Sequence, residues 1–502
     1  MRVVILGGGT AGWMTAAALS QYLGTQVTVT VIESDTIGTI GVGEATIPQI
    51  RLFNDGLGID EREFLRETSG TFKLGIEFIG WQREGQRYFH SFGDIGRKVA
   101  LVHFYQYWLR YRAEGGALPL EAFSVNAQAA QQGKYGVGAQ TKAARLPPTA
   151  YHFDAGLYAA YLRRYAEKRG VKRREGLVQG PNLNSETGFI EALLLAGGEK
   201  ISGDLFIDCS GFRGILIQEA LHTGYEDWSH WLPCDRAIAV PSTGNGRLDP
   251  FTRSTARDAG WQWQIPLQHR TGNGHVYASA FTTQDAAHRK LMETLPGDPL
   301  AEPRQLRFQT GKRRHLWKKN CVALGLASGF LEPLESTSIH LIQAGIARLL
   351  AFFPDRTCDP ALVAEFNKQL DFEFEAVRDF LILHYHISQR DGSDFWKYCT
   401  NMTIPDSLSE KIDLFQTSGA IVRYNTELFD VPSWLQVMWG QGLRPEHYHP
   451  IVKTVKAQRL ESYITNTARE VREQVAALAD HGDYIKRIAR AKATMPGPIA
   501  QE

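Results

Sequence analysis

The chain opens on a short apolar run, Val3-Val4-Ile5-Leu6 after Arg2, which ends at a glycine and predicts a buried parallel strand. Gly7-Gly8-Gly9-Thr10-Ala11-Gly12 follows and leads into an alanine-rich helical stretch over residues 13–22. Valine and threonine then alternate over 26–32 as a second strand, closed by Glu33. Further on, Phe72, Leu74, Ile76 and Phe78 alternate with Lys73, Gly75 and Glu77, which predicts one strand with the lysine on its polar face. Residues 151–168 have helical spacing, 203–211 read as a strand entering a glycine turn, and 322–330 as a small apolar strand and turn. From about Pro333 the chain is mainly helical, with long amphipathic stretches at 360–386 and 450–491.

Composition changes this picture little. A chain of 502 residues can hold two or three lobes, and 43% hydrophobic with 22% charged residues is ordinary for a globular protein. A net charge of +1 gives no general attraction to nucleic acid or membrane, and the basic cluster at 168–174 reads as a solvated face. Cys209, Cys234, Cys321, Cys358 and Cys399 are odd in number and form no Cys-x-x-Cys, the usage of unpaired structural thiols in a reducing compartment. The first strand starts at residue 2, with no room for a signal peptide before it, and no apolar run is long enough to cross a bilayer. The expected location is the cytoplasm, and no metal centre is expected.

The first 33 residues carry the first chemistry. Strand, glycine turn, helix and second strand make a βαβ unit whose acidic end falls about 20 residues past the last glycine, the dinucleotide fingerprint. Gly7 permits the tight turn, Gly9 lets the backbone approach a pyrophosphate, and Gly12 allows close helix packing. The amides at Thr10 and Ala11 and the helix dipole favour phosphate, and Glu33 accepts from ribose hydroxyls while disfavouring a 2′-phosphate. No second such motif seats a nicotinamide, so the electrons are expected to arrive as reduced flavin made by another protein. The glycine-punctuated segment 35–48 is suited to folding against a flat ring system. Trp261 and Trp263 alternate with Gln262 and Gln264 before Pro266; a half-buried strand with aromatics on one face accounts for that pattern without any function.

Five blocks in order, residues 7–13, Gly41-Val42-Gly43-Glu44-Ala45-Thr46, Phe72-Lys73-Leu74-Gly75, the Trp-Gln-Trp-Gln-Ile-Pro of 261–266, and Pro333-Leu334-Glu335-Ser336-Thr337, make nearly the whole chain resemble the flavin-dependent tryptophan halogenases. The resemblance implies an α/β FAD-binding flavoprotein fold, like that of glutathione reductase and the flavin monooxygenases, with a mainly helical C-terminal portion. It implies an FAD-binding lobe over 1–350, with a substrate-side sheet inserted at about 70–110 and 145–320, and a helical portion over 351–502 that completes the substrate site. FAD, used as FADH2, would be held by Gly7, Gly9, Thr10, Ala11, Gly12, Glu33, Gly41, Val42, Gly43, Glu44, Ala45, Thr46 and Leu326. O2 and chloride or bromide are the co-reactants, a separate flavin reductase the partner, and the enzyme a monomer or homodimer that binds neither nucleic acid nor membrane.

The same resemblance implies that hypohalous acid made at the flavin is passed to Lys73, either as a haloamine or as a hydrogen-bonded reagent. Glu335 and Ser336 would share the chamber with Lys73, the carboxylate orienting the reagent or taking the proton lost on rearomatisation. Thr337 and Ser338, at a helix start, would hold the halide; many relatives have Thr-Gly at this pair, so Ser338 is a departure. His90 and Phe92 would line the substrate site, and Trp261 and Trp263 would wall the flavin off from it. Tryptophan-specific members grip the amino acid backbone with a tyrosine pair, whereas this chain contains no Tyr-Tyr and reads Leu428-Phe429-Asp430-Val431-Pro432-Ser433-Trp434-Leu435 in that neighbourhood. The resemblance therefore does not extend to the grip on free tryptophan. The expected reaction is halogenation of an electron-rich aromatic such as an indole. The competing readings are a flavin monooxygenase that hydroxylates an aromatic, and a flavin-binding protein without catalytic activity.

Overall fold

A computed structural model describes residues 1–36, 43–97, 102–137 and 146–490. Gly41 and Val42 lie outside the described residues.

The βαβ unit forms as expected, from strand Arg2–Leu6, helix Thr10–Tyr22 and strand Thr28–Glu33. These strands are the fourth and fifth of a six-stranded sheet ordered Trp317–Lys318, Cys321–Ala323, Leu205–Asp208, Arg2–Leu6, Thr28–Glu33, Lys172–Glu175. All its neighbours run parallel except the first pair. Helix Thr10–Tyr22 is buried from Gly12 to Leu19 because helices Ala155–Glu167 and Ser338–Ala351 pack on it. A helix covered on most sides needs small apolar residues rather than an amphipathic stripe, hence its alanines.

The 151–168 stretch is not all helix. Ala150–Asp154 is the central strand of a three-stranded sheet, between Gly43–Ala45 and Thr71–Lys73. The helix starts at Ala155, where Asp154 Oδ1 accepts from the amides of Gly156 and Leu157 at 3.0 and 3.1 Å. Tyr151, His152 and Phe153 are all buried, so no polar face marked the strand.

The alternation at 72–78 also misled. The run is two strands in two different sheets. Thr71–Lys73 pairs with Ala150–Asp154; the Leu74 amide then bonds Pro250, and Gly75–Ile79 joins a seven-stranded sheet between Arg87–Ser91 and Thr252–Arg257. At this junction both faces are covered, and Lys73, expected on a polar face, is fully buried.

The seven-stranded sheet continues from Thr252–Arg257 through Gly260–Pro266, Thr271–Tyr277 and Arg236–Ser242 to Arg304–Arg307. Trp261 and Trp263 lie on Gly260–Pro266, and both are buried. Gly274 is paired opposite Trp263, where a Cβ would fall 2.0 Å from the indole. The strand is not half-exposed: Gln262 is also buried, with Oε1 accepting from Arg257 Nε and Nη2 at 2.8 and 2.7 Å.

The C-terminal portion is led by helix Pro360–His386, capped by Asp359 and Pro360 as its sequence dictates. The 450–491 stretch is less continuous than expected. A 3₁₀ turn, Pro450–Thr454, precedes helix Ala457–Ala476, and strand Leu478–Asp480 pairs with Lys134–Val137 before helix His481–Arg490. In the basic cluster, Lys172–Glu175 is an edge strand, and Arg173 turns inward to Glu33 and Asp35 rather than to solvent. The five cysteines are free. Among the described residues no helix is long and apolar enough to cross a membrane, and no His/Cys/Asp/Glu cluster suits a metal ion.

Candidate active site

At the end of strand Arg2–Leu6 the chain turns through Gly7, whose φ of +117° suits glycine and where a Cβ would lie 2.2 Å from the Cys209 carbonyl oxygen. A Cβ on Gly12 would sit 1.9 Å from the Gly7 carbonyl oxygen, so strand, turn and helix pack too closely for any side chain there. A Cβ on Gly9, by contrast, would have no atom within 4 Å. Gly9 is the helix N-cap and offers no side chain to its amides, leaving the N-terminal donors facing that open space. Residues Gly7 to Ala11 are only partly buried. Glu33 is aimed at this turn: a Cβ on Gly8 would lie 1.4 Å from its Oε2, while Arg173 Nε donates to Oε1 at 2.5 Å and Arg163 at 3.4 Å. Open room, uncapped amides and a carboxylate at the next strand end fit a dinucleotide cofactor.

Of two further segments expected at the cofactor site, one touches this cradle directly. Leu326 lies in the 3₁₀ turn Gly325–Ala327, where a Cβ on Gly325 would come within 2.7 Å of Ala11. Gly43–Ala45 pairs with Ala150–Asp154, and burial pushes the Glu44 carboxyl up to about 7. Thr46 has its amide and hydroxyl both donating to Tyr151 O, at 3.0 and 2.7 Å, so its polar groups hold this strand in place.

The second cluster lies where the two sheets meet. Lys73 Nζ donates to Ser336 Oγ at 2.8 Å and lies 5.4 Å from the centroid of the partly exposed Phe92 ring. Burial lowers its amine to about 7, against the raising influence of the Glu335 charge. Ser336 is held at φ +60°, a left-handed conformation that costs a non-glycine residue ~1–3 kcal/mol. A buried hydrogen bond to a charged group contributes about 1.5–3 kcal/mol, enough to offset that strain.

Glu335 ends the 3₁₀ turn Pro333–Glu335 and is buried. His90 Nδ1 lies 3.0 and 2.9 Å from its two oxygens, and His384 Nε2 lies 2.8 Å from Oε1. Burial alone would raise this carboxyl; the charges and hydrogen bonds of the two imidazoles overrule it and hold the group at about 2. His384 Nδ1 donates to the Phe380 carbonyl at 2.8 Å, which fixes the ring with Nε2 turned to the carboxylate. His90, expected to line the substrate site, thus has one ring nitrogen committed to Glu335.

Thr337 occupies the N-cap position of helix Ser338–Ala351 without a side-chain cap bond, fully buried and with no partner for its hydroxyl among the described residues; Ser338, the first helical residue, is partly exposed. An uncapped helix N-terminus beside an unpartnered buried hydroxyl is a suitable seat for a small anion. Trp261 Nε1 donates to Glu332 Oε2 at 2.9 Å, and the Trp261 ring lies 6.1 Å from that of Trp263 and 6.4 Å from that of Trp81.

Sequence reasoning missed His384, Glu332, Tyr385 and His481. Glu332 stands one residue before the Pro-Leu-Glu-Ser motif, and His384 and Tyr385 were absorbed into an amphipathic helix pattern. His481 is buried at the start of the last described helix, where Nε2 accepts from the Phe72 amide at 3.2 Å and Nδ1 donates to Leu248 O at 2.6 Å. Only long-range contact reveals these four.

A dinucleotide cradle on a largely parallel sheet, with a buried amine beside a clasped carboxylate at a separate junction of sheets, suits a flavoprotein of halogenase type. A family model described as tryptophan halogenase matches residues 2–457, and the chain belongs to that family. It is 39% identical over 444 residues to tryptophan 6-halogenase ThaL of Streptomyces albogriseolus, covering 82% of this chain and 81% of the relative. Tryptophan 7-halogenase RebH of Lentzea aerocolonigenes is 36% identical over 442 residues, 84% of this chain and 82% of its own. Among solved structures, the flavin-dependent halogenase Xcc4156 from Xanthomonas campestris superposes with a TM-score of 0.95 at 47% identity, covering 98% of this chain and 99% of that one. BrvH, a flavin-dependent halogenase from Brevundimonas sp. BAL3, gives 0.92 at 46% identity, covering 97% and 99%. These relatives bear out the expected α/β flavoprotein fold and halogenase class, and they are named halogenases rather than hydroxylases.

Proposed function

We propose that this enzyme halogenates an electron-rich aromatic such as an indole, using FAD delivered reduced by a separate flavin reductase, O2, and chloride or bromide. The observation that carries the reading is the buried Lys73 amine hydrogen-bonded to Ser336 beside the histidine-clasped Glu335. Gly7, Gly9, Thr10, Ala11, Gly12 and Glu33, with the 41–46 segment and Leu326, would hold FAD. When bound, reduced flavin with O2 supplies the oxidising power that converts halide to hypohalous acid.

The remaining work falls to the chain's own residues. Thr337 and the amide end of Ser338–Ala351 attract the halide. Trp261 and Trp263 exclude the organic substrate from the cofactor side. Lys73, titrating at about 7, is available near neutral pH both as an ammonium that hydrogen-bonds the oxidant and as a free amine that takes up halogen. Glu335 stays ionised and balances positive charge that develops on the ring. A ring that has just accepted halogen is a strong acid, so even a carboxylate held at about 2 is basic enough to receive its proton.

The test is halide dependence. Supplied with FAD, a generic flavin reductase, NADH, O2 and indole, the enzyme is expected to give a monobrominated product with bromide and none without halide. An oxygenated indole formed equally with and without bromide contradicts the reading.

A further inference from the structure

Glu332 is buried with an exposure of 0%, and among the described residues only the neutral donors Trp261 and Tyr385 act on its carboxyl. Its Oε2 accepts from Trp261 Nε1 at 2.9 Å and from Tyr385 hydroxyl at 2.6 Å, while Oε1 has no partner. A carboxyl in such a place is costly unless its hydrogen bonds do something an apolar residue of like volume would not.

The arrangement around it is paired. Glu332 and Glu335 stand on one turn, and consecutive residues of helix Pro360–His386 take hold of them, Tyr385 on Glu332 and His384 on Glu335. The same turn ends in Ser336, which accepts from Lys73. Trp81 makes T-shaped contacts with both gripping rings, with centroids 5.4 Å from Tyr385 and 6.0 Å from His384, and it also neighbours Trp261. Three parts of the site, the indole wall, the carboxylate clasp and the amine, are thus fastened to five consecutive residues, 332–336. Burial leaves the Glu332 carboxyl at about 7, consistent with a group fixed by neutral donors alone.

We propose that Glu332 is a positioning residue for halogen transfer: by accepting from Trp261 and Tyr385 together, it locks the indole wall to the turn that presents Glu335 and Ser336 to Lys73. The inference rests on the halogenase reading above. Loosening this lock leaves cofactor binding alone, because the dinucleotide cradle is built from other elements. It lets oxidant escape before it reaches the aromatic substrate.

The experiment compares Glu332→Ala, Glu332→Gln and Tyr385→Phe in the full chain with FAD, reductase, NADH, bromide and indole. It reads brominated indole formed per NADH oxidised, and free oxidant caught by monochlorodimedone in bulk solution. Glu332→Ala is expected to lower the product yield per NADH by about tenfold and raise trapped oxidant, with FAD affinity unchanged. Glu332→Gln keeps an acceptor oxygen and restores most of the yield. Tyr385→Phe removes only the hydroxyl that donates to Glu332 Oε2 and shifts the partition in the same direction, which keeps the test decisive if Glu332→Ala does not fold. Unchanged partition in the folded variants, or a Gln variant as leaky as the Phe variant, overturns the inference. Failure of the unsubstituted enzyme to brominate at all overturns the halogenase reading instead.

Discussion

Lys73 shows how much a position inside the molecule changes a residue. An ordinary lysine amine titrates at 10.5; burial brings this one to about 7. Between those two values the unfolded chain binds more protons than the folded one, so stability rises with pH across that window and the full penalty is felt below 7. Replacing Lys73 with methionine, of similar length and without charge, removes the penalty. In thermal unfolding, the Tm of Lys73→Met relative to the unsubstituted protein is expected to be more favourable at pH 6 than at pH 9; an offset independent of pH contradicts the lowered amine. Removing the charge of Glu335 has the opposite effect on stability. Glu335→Gln keeps the shape but leaves His90 and His384 without their anion, and breaking a buried pair this way destabilises by about 3 kcal/mol. Urea unfolding checks that figure, and a loss near zero would mean the imidazoles do not depend on the carboxylate. At this scale the sequence was informative where a motif fixed the residue, as for Lys73, Glu335 and Ser336. It was silent for His384 and Glu332, because a histidine or glutamate inside a helix or turn looks the same whether it faces solvent or a partner far away in sequence.

Elements were legible in proportion to how unequal their two faces are. Helix Pro360–His386 and the βαβ unit follow their patterns because caps, glycines and apolar spacing agree. The 72–78 run and the start of the 151–168 stretch do not, since strands covered on both sides carry no alternation that reports their burial. Lys73 is positioned by such a strand, and the strand is held from a distance. His481, in helix His481–Arg490, accepts the Phe72 amide next to Lys73, and burial lowers its imidazole to about 4, so near neutrality it remains an acceptor. That helix lies beyond residue 457, where the match to the family ends. His481→Ala is expected to speed hydrogen exchange at the Phe72 amide and to lower halogenation by about tenfold with FAD affinity preserved. An unchanged exchange rate would show that the Thr71–Lys73 strand does not need this support.

Over the whole molecule, three sheets divide the labour. The largely parallel sheet and its glycine turn carry the proposed cofactor cradle, and the junction of the other two sheets holds the amine and the carboxylate. The turn at 332–336 ties the second of these together: it bonds Trp261 of the Gly260–Pro266 strand, carries the carboxylate clasped by His384, and accepts from the amine. The central claim is that halogen reaches the substrate only by way of Lys73. The most direct test is bromination of indole by Lys73→Ala under the conditions above, with FAD binding and NADH consumption followed in parallel. The account predicts normal FAD binding, continued NADH oxidation, and brominated indole reduced by roughly 10²–10⁴-fold. Bromination at the unsubstituted rate with normal FAD binding would contradict it.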